Sequence, residues 1–515
     1  MATPSEKLAA SLEILKGLQD KDIIAIKSSE LTRTHKERLL KNGFISEVYS
    51  GWFIISSPEN KEGDSTSWYS SYWKFCAQYL NYKYNNQWCI SAEQSLMIHA
   101  GNWTVPKQLV IKSPKANNFK TDLPFDTSLF HMRSKLPLKS EVELVDGLRV
   151  LSLSSALVNT SSNTYTQNAT DMRTALSLVK SSADILNILL AGGQSIVAGR
   201  LAGAFRNINK DKIADDIIKT MQGIGYDVRE SDPFSDKLNI SFSSKEASPY
   251  ANRIRIMWSD FRNAIIEKFP AAPGVPKNIE KFISNVKEIY VTDAYHSLSI
   301  ERYQVTPDLI ERVRNGSWDT KENDADRKQR DAMAAKGYWD AFQIVVQSIQ
   351  KVLTGENAGK VLDDDHSDWY RALFGPSVVS GLLKSADLAG YRNHQVYITN
   401  SMHVPLNREA VRDAMPMLME LLEQESEASV RAVLGHFIFV LIHPYMDGNG
   451  RMGRFIMNLM LASGGYPWTV IPVQQRSKYM KSLEEASVNL NILPFIEFLS
   501  HLVNESMHGK PVASI

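Results

Sequence analysis

The chain has 515 residues, 43% hydrophobic and 22% charged, a composition that suits two or three globular domains and excludes a disordered chain. A net charge of +1 gives no overall field that favours nucleic acid or an anionic membrane, so any such binding has to be local. No apolar run approaches the ~20 residues that span a bilayer, and the N-terminus lacks the apolar core of a signal peptide. Two cysteines, Cys76 and Cys89, exclude a disulfide framework and a cysteine-based zinc site. We therefore predict a cytoplasmic protein without a membrane partner.

The first 60 residues carry the pattern of two helices followed by a hairpin. Apolar residues recur at helical spacing from Leu8 to Leu18, and a second helical pattern runs over residues 28–43. The alternating sequence FISEVYSGWFIIS then predicts a hairpin that turns at Ser50-Gly51. This order is typical of a winged helix, whose candidate contacts with DNA phosphates are Arg33, Lys36 and Arg38. Because residues 1–60 hold as many acidic as basic side chains, a solvated surface is the alternative interpretation.

The segments LLKNGFISEVYSGWFII and CISAEQSLMIHAGNWTVPKQLVI resemble winged-helix regulators of the AbiE type, in which such a domain precedes a strand-rich domain. This resemblance implies a winged helix-turn-helix over residues 1–60 and a strand-containing region over 61–160. A stretch rich in Ser, Thr and Asn at 152–174, followed by helical periodicity, predicts that residues 161–235 form a connector and a helical bridge. Pro233 marks the predicted boundary with residues 236–515.

Beyond this boundary the chain is mostly helical by its periodicity, with one short alternating segment, HQVYITNSMHV, that predicts a hairpin. The fold class is therefore mainly α, preceded by an α+β region. The predicted helices cover residues 254–269, 279–289, 307–313, 332–352, 408–424, 429–442, 451–463, 478–489 and 494–505.

Residues 443–454 have the sequence HPYMDGNGRMGR, and they contain the candidate catalytic and binding residues. Gly448, Gly450 and Gly453 satisfy GxGxxG, but the preceding segment has helical periodicity and no acidic residue follows about 20 positions on, so the dinucleotide fingerprint fails. The sequence GENAGKV at 355–361 is not a Walker loop, because it lacks one spacer residue and the Ser or Thr that would hold magnesium. A helix, a glycine-rich turn and a second helix remain, and together they build an anion site.

The residue types of this turn suit phosphate chemistry. Gly448 and Gly450 let backbone amides point into one cavity, in which Asn449 can also donate a hydrogen bond. Arg451 and Arg454 share a helix face, and their guanidinium groups can each donate two hydrogen bonds to phosphate oxygens.

Two further side chains of the motif can take part in catalysis. Asp447 offers a hard oxygen for Mg²⁺, and His443 is a base beside the phosphate. Alternatively, His443 and Asp447 form half of a metal site, although no second His or Cys lies near them in sequence.

The same segment resembles the Fic family motif HPFxDGNGRxxR, with Tyr445 in place of Phe, and the chain is identified as a member of that family over residues 240–510. The resemblance implies an all-helical core with a short flap hairpin at GYRNHQVYITNSMHVP, which aligns the target segment by strand addition. Residues at the centre of this flap would dock the target: Gln395, Val396, Tyr397 and Ile398.

The family resemblance also implies an activity, the transfer of AMP from ATP to a Ser, Thr or Tyr hydroxyl of a target protein. His443 would deprotonate that hydroxyl, and Asp447 would position Mg²⁺ on the α- and β-phosphates. The loop from Gly448 to Gly450 and Arg451 would hold the phosphates, and Arg454 would hold the γ-phosphate.

A segment upstream of the core resembles the inhibitory motif [ST]xxxE[GN] of this family. In Ser297–Arg302, SLSIER, the motif fits through Glu301 and departs at Arg302. The resemblance implies that Glu301 pairs with Arg454 and displaces the γ-phosphate. Alternatively, Glu301 is an ordinary helical carboxylate paired with Arg302 or Arg312.

Two functions follow as hypotheses from this sequence. The first is a self-inhibited protein adenylyltransferase that uses ATP and Mg²⁺. The second is a DNA-binding autorepressor whose Fic domain serves as a nucleotide sensor or removes AMP. Besides ATP and a target protein, DNA and a second copy of the chain are candidate partners. The sequence leaves open the target protein, the transfer of UMP or GMP instead of AMP, and the direction of the reaction.

Overall fold

The computed structural model describes residues 3–59, 63–237, 248–316 and 330–515. The chain divides into two compact units, and each is described by itself. The first unit contains Met1–Arg253 together with Tyr397–Val404, and the second contains Ile254–Val396 and Pro405–Ile515. The domain limits drawn from the sequence stay predictions.

The first unit begins with two helices and a three-stranded antiparallel sheet. Helix α1 begins after a capping box between Thr3 and Glu6. Strand β3 lies between β1 and β2, and Gly51, with φ +75°, turns the β2–β3 hairpin where the sequence predicts it. A small core with Leu15, Leu39 and Phe53 joins the helices to the sheet. These elements are α1 Pro4–Gln19, β1 Ile26–Lys27, α2 Arg33–Lys41, β2 Ile45–Tyr49 and β3 Trp52–Ile55.

An aromatic helix and a second sheet form the next part of this unit. Helix α3 buries tryptophan and tyrosine side chains along most of its length. The sheet has the order β4-β5-β7-β6, with β5 and β7 parallel, and β8 pairs with β9 in a separate hairpin. The elements are α3 Thr66–Tyr84, β4 Cys89–Ile90, α4 Ala92–His99, β5 Gln108–Ser113, β6 Phe119–Asp122, β7 Ser128–Arg133, β8 Val142–Val145 and β9 Leu148–Leu151.

The predicted connector at residues 152–174 is wrong, because this stretch is helical. The Ser152 hydroxyl caps the first of its helices, and the Thr174 hydroxyl donates to the carbonyl of Thr170, 2.7 Å away. Local bonds of this kind satisfy the polar side chains inside the helices. The helices of this region are α5 Leu153–Asn159, α6 Thr164–Gln167, α7 Ala169–Leu178, α8 Ala183–Gly192, α9 Ser195–Asn207 and α10 Asp211–Gly223.

The second unit contains helices joined by loops and no strand within its described residues. Helices α18 and α19 pack against each other and are almost completely buried, which places the loop between them at the end of the core. The remaining helices are α11 Pro249–Lys268, α12 Ile279–Glu288, α13 Tyr290–Ile300, α14 Pro307–Arg314, α15 Arg330–Leu353, α16 Ala358–Val379, α17 Arg408–Gln424, α18 Ala428–Ile442, α19 Asn449–Ser463, α20 Arg476–Val488 and α21 Leu493–Met507.

The predicted helices of this unit are confirmed within a few residues, whereas α13 is absent from the predicted set and so is α16. In α16 the DDDHSD stretch and the internal Pro376 interrupt the apolar periodicity that identified the others. In the described ranges no single helix has the length and apolar composition of a membrane span, and one pair bent by 110°, α7 with α8, meets that test together.

The predicted flap hairpin is wrong, because residues 390–405, all described, contain no strand. Side-chain hydrogen bonds hold this segment, in place of the backbone hydrogen bonds that would join two strands of a hairpin. The Gln395 amide donates to the carbonyl of Pro405 at 2.7 Å. Further along, the Asn400 side chain accepts from the Ser65 amide at 2.9 Å within the first unit.

Candidate active site

His443 lies directly after the last residue of α18, in the left-handed conformation with φ 56° and ψ 58°. The backbone of this residue is held by Arg392, whose Nε donates to the His443 carbonyl at 2.7 Å. The Arg392 amide also donates to the carbonyl of Pro444 at 2.9 Å. A left-handed non-glycine residue is strained, and these bonds fix it in place.

The imidazole of His443 is oriented by the helix that precedes it. Its Nδ1 lies 3.1 Å from the carbonyl of Val440, and since a carbonyl only accepts, Nδ1 carries the proton and Nε2 keeps its lone pair. Burial lowers the pKa of His443 to about 4, although the Val440 contact acts in the opposite direction. The ring is therefore neutral at pH 7 and able to accept a proton at Nε2.

The glycines of the loop are required by the space around them. Gly448 has φ +79°, and a Cβ at this position would lie 2.8 Å from the ring of Phe374. A Cβ at Gly450 would lie 2.2 Å from Oε1 of Glu301. Both positions therefore exclude a side chain, and the Gly450 contact shows how closely Glu301 approaches the start of α19.

Asn449 is the residue of the motif whose placement differs most from the sequence-based expectation. Its amide accepts from the nitrogen of Tyr445 at 2.9 Å and donates to the carbonyl of Tyr445 at 2.8 Å. The side chain is 2% exposed. Asn449 thus closes the loop on itself, and the expected contact with an anion stays a prediction.

Arg451 is a buried cation with unused donors. Its guanidinium stacks on Tyr303 and Phe374, with centroid distances of 5.1 and 4.8 Å, and its side chain is 1% exposed. Nη2 lies 3.6 Å from Oδ2 of Asp447, and among the described residues neither Nε nor Nη2 has a hydrogen-bond partner. A buried donor without a partner is costly, so this geometry suits an anionic ligand.

Arg454 is bound by two residues of the segment Ser297–Arg302. Its Nε donates to the Ser297 hydroxyl at 2.8 Å, and its Nη2 donates to the Ser297 carbonyl at 3.0 Å and to Oε1 of Glu301 at 2.8 Å. Burial alone would lower the pKa of Arg454, but Glu301 and nearby tyrosines raise it above its usual value. The predicted contact of Glu301 with the last arginine is therefore present.

Glu301 is positioned by the C-terminus of α13. The amide of Arg302 donates to the Ser299 carbonyl at 3.0 Å, and the amide of Tyr303 donates to the Leu298 carbonyl at 3.1 Å, the bonds of a Schellman cap. Arg302 has φ 67°, which explains why Gly or Asn suits this position. Arg302 is exposed and, within the described part of the chain, forms no ion pair with Glu301.

The donor set is compatible with a magnesium ion shared with phosphates. Asp447 is 59% exposed at its side chain, and the described residues contain no group of three or more potential metal ligands. Mg²⁺ commonly binds one or two protein carboxylates together with substrate phosphates. Asp447 beside Arg451 fits that arrangement, whereas a site made of protein ligands alone does not.

Several residues of the site were not predicted. Arg392, Tyr303 and Phe374 lie far from the motif in sequence, and their contacts depend on how the helices pack. Asp293 is also buried nearby and accepts from the Tyr338 hydroxyl at 2.6 Å, and burial raises its pKa to about 6. The sequence signal that could have identified Asp293 is a carboxylate within an otherwise apolar part of α13.

The predicted docking residues of the flap alternate in exposure but do not form a strand. Gln395 and Tyr397 are exposed, Val396 is buried and Ile398 is half-buried. The division of the chain separates them, since Val396 ends one segment of the second unit and Tyr397 begins the segment that belongs to the first. Their role in docking stays a prediction.

The candidate DNA contacts lie on α2, with different surroundings. Arg33 is exposed and pairs with Glu37 at 2.7 Å. Lys36 donates to the Ser28 hydroxyl at 2.8 Å. Arg38 donates to the carbonyl of Lys7 at 2.7 Å and thereby joins α2 to α1.

The site therefore consists of an apolar helix that ends at a histidine, a glycine turn, and a second helix with two buried arginines. This is a helical domain whose buried cations suit an anionic ligand. Residues 366–461 match the Fic/DOC family, and this part of the chain is a Fic domain. Over 121 residues the chain is 36% identical to Protein adenylyltransferase Fic of Drosophila willistoni, covering 23% of this chain and 24% of that protein. Over 113 residues it is 32% identical to Protein adenylyltransferase fic-1 of Caenorhabditis elegans, covering 21% and 22%.

These relatives are matched over one part of their length, so the chain spans about a quarter of the curated relatives. Among solved structures, Fic-1 (residues 134–508) from C. elegans aligns with 70% of this chain and 94% of its own, at 17% identity and a TM-score of 0.37. A Fic family protein from Desulfovibrio desulfuricans covers 47% and 77%, at 18% identity and a TM-score of 0.31.

Proposed function

We propose that the protein is an adenylyltransferase that transfers AMP from ATP to a hydroxyl group of a target protein. The observation that carries this proposal is the buried Arg451, whose Nε and Nη2 have no partner among the described residues and which lies beside Asp447. Such a cation suits a phosphate at the N-terminus of α19. The names of the relatives matched over this domain support the same reaction.

In this reaction His443 accepts the proton of the target hydroxyl at Nε2. The hydroxyl oxygen then bonds to the α-phosphorus, and the bond from that phosphorus to the β-phosphate oxygen breaks, so that pyrophosphate leaves. The neutral state of His443 and its fixed Nδ1–H suit this role. Arg451 and the backbone amides at the start of α19 stabilise the negative charge on the phosphates.

Mg²⁺, bound by Asp447 and the phosphates, would neutralise part of the triphosphate charge. Asp447 is exposed enough to accept such an ion while its carboxylate remains near Arg451.

We further propose that the chain inhibits itself through Glu301. This carboxylate holds Nη2 of Arg454 at 2.8 Å and therefore occupies the donor that a γ-phosphate needs. ATP would then bind with its α-phosphate out of line with the target hydroxyl, so transfer would be slow in the wild type.

The test uses ATP labelled at the α-phosphorus and, in parallel, ATP labelled at the γ-phosphorus. Both are incubated with Mg²⁺, the purified full chain carrying Glu301→Gly, and a cell extract whose kinases have been inactivated by heat. AMP transfer predicts protein label from the first nucleotide and none from the second. Competition with unlabelled UTP and GTP then identifies the preferred base. Label from the γ-position alone would indicate phosphorylation and would contradict the proposal.

A further inference from the structure

Next to the phosphate site lies a cavity of about 310 Å³ in the second unit. Its lining combines apolar side chains from the end of α16 and the following loop with three charged groups, Arg330, Asp447 and Arg451. Glu301 and Arg454 do not line it. The cavity therefore remains open while the inhibitory contact is in place.

Two guanidinium groups in this cavity share one aromatic ring. Arg330 lies 5.0 Å and Arg451 5.1 Å from the centroid of Tyr303. Stacking on a ring restricts both side chains and leaves the edges of their guanidinium planes available to an acceptor.

The charges of the lining favour an anion with more than one negative charge. Among the described residues that line the cavity, one carboxylate, Asp447, opposes Arg330 and Arg451. Neither Nε nor Nη2 of Arg451 has a hydrogen-bond partner among the described residues. Apolar walls such as Leu373 and Leu382 lower the local dielectric and strengthen the attraction.

We infer that Arg330 binds the departing pyrophosphate, so that the cavity is the path by which this product leaves the site. This inference rests on the proposed function, in which Arg454 binds the γ-phosphate of ATP before transfer. It adds a residue outside the motif that binds the pyrophosphate product. Arg451 would bind the phosphates at the start of α19, and Arg330 would bind pyrophosphate within the cavity.

The test compares binding of inorganic pyrophosphate and of AMP by calorimetry, in the full wild-type chain and in Glu301→Gly. Arg330→Ala should weaken pyrophosphate binding about 10-fold or more, because a charge-assisted contact is lost. AMP, which lacks the terminal phosphates, should bind equally well. Arg330→Lys should lie between, since it keeps the charge but not the planar fork. The matched control is Arg408→Ala, an exposed arginine outside the cavity.

Three outcomes would overturn the inference. One is pyrophosphate binding by Arg330→Ala that equals that of Arg408→Ala. A second is an equal loss of affinity for AMP and pyrophosphate in Arg330→Ala, which would indicate a general effect on the fold or on the electrostatic potential of the site. The third is a lack of pyrophosphate binding in both parent proteins. Because these measurements need no AMP transfer, they separate failure of this inference from failure of the proposed function.

Discussion

The surroundings of His443 suit the proton transfer that we propose for this side chain. The end of α18 gives it a left-handed backbone, Arg392 holds its carbonyl, and Val440 fixes the proton on Nδ1. Burial then keeps the ring neutral by lowering its pKa to about 4. The Val440 contact and the burial together favour a free lone pair on Nε2.

The pH dependence of transfer should reflect this lowered pKa. The base is the neutral ring, so activity is lost only as pH falls towards about 4. For kcat/KM, which reports the protein before ATP binds, we expect nearly equal values at pH 8 and pH 6. A histidine with the usual pKa near 6.5 would lose roughly three quarters of its neutral form at pH 6. A pH–rate profile with its midpoint near that usual value would contradict the assignment.

At this scale the sequence predicted the residues of the motif but not their neighbours. Spacing alone placed Arg451 and Arg454 on one helix face, because the period of a helix is fixed. The rings that stack on Arg451 come from Tyr303 and Phe374. Their approach depends on the packing of distant helices, which local periodicity does not encode.

Among the elements, α13 matters for the proposed inhibition because the geometry of its C-terminus positions Glu301. The Schellman cap turns the chain at Arg302 and leaves Glu301 facing Arg454. The exposed Arg302 has φ 67° without the glycine that this conformation favours. A strained cap is therefore part of the segment that positions the carboxylate.

Replacing Arg302 should relieve this strain. Arg302→Gly is expected to stabilise the protein by about 1 kcal/mol, since a left-handed L-residue costs roughly 1–2 kcal/mol. Arg302→Asn should give part of that gain, and Arg302→Ala should give none because it keeps a Cβ. Urea denaturation of the three variants measures the effect. Equal stability of the Gly and Ala variants would show that the cap is not strained.

Helices with one apolar face were predicted correctly. The prediction of elements failed in segments whose polar side chains form hydrogen bonds with the backbone. The helices around the site, α17 to α19, were predicted within two residues of their ends. The flap has an alternating sequence, yet Gln395 and Asn400 bind backbone groups in place of a ladder. The Ser- and Thr-rich stretch at 152–174 folds into helices because its hydroxyls find local partners.

At the scale of the whole molecule, a Fic domain is combined with an N-terminal unit that holds a helix pair and a hairpin. The resemblance of the first 160 residues to DNA-binding regulators stays a prediction. The contacts of α2 indicate which residue tests it best. Arg38 is used in packing α1 against α2, whereas Arg33 is exposed.

The autorepressor hypothesis predicts that the full chain binds a palindromic site in its own promoter region. Affinity should fall steeply with salt, because the contacts are cations on phosphates. Arg33→Ala combined with Lys36→Ala should weaken binding, and Lys41→Ala serves as a control at the end of the same helix. Equal affinity for the promoter region and random DNA, measured by fluorescence anisotropy, would remove the hypothesis.

Self-labelling with ATP labelled at the α-phosphorus tests the central claim most directly, in the wild type, Glu301→Gly and Glu301→Gly with His443→Ala. Removing Glu301 leaves the buried Arg454 without its carboxylate partner, which should destabilise the protein, and bound ATP should restore part of this loss. We predict more label in Glu301→Gly than in the wild type, and a loss of ~10²- to 10⁴-fold when His443 is also replaced, with ATP binding retained. Label in Glu301→Gly no greater than in the wild type would contradict inhibition by Glu301. Label that persists without His443 would contradict the proposed base.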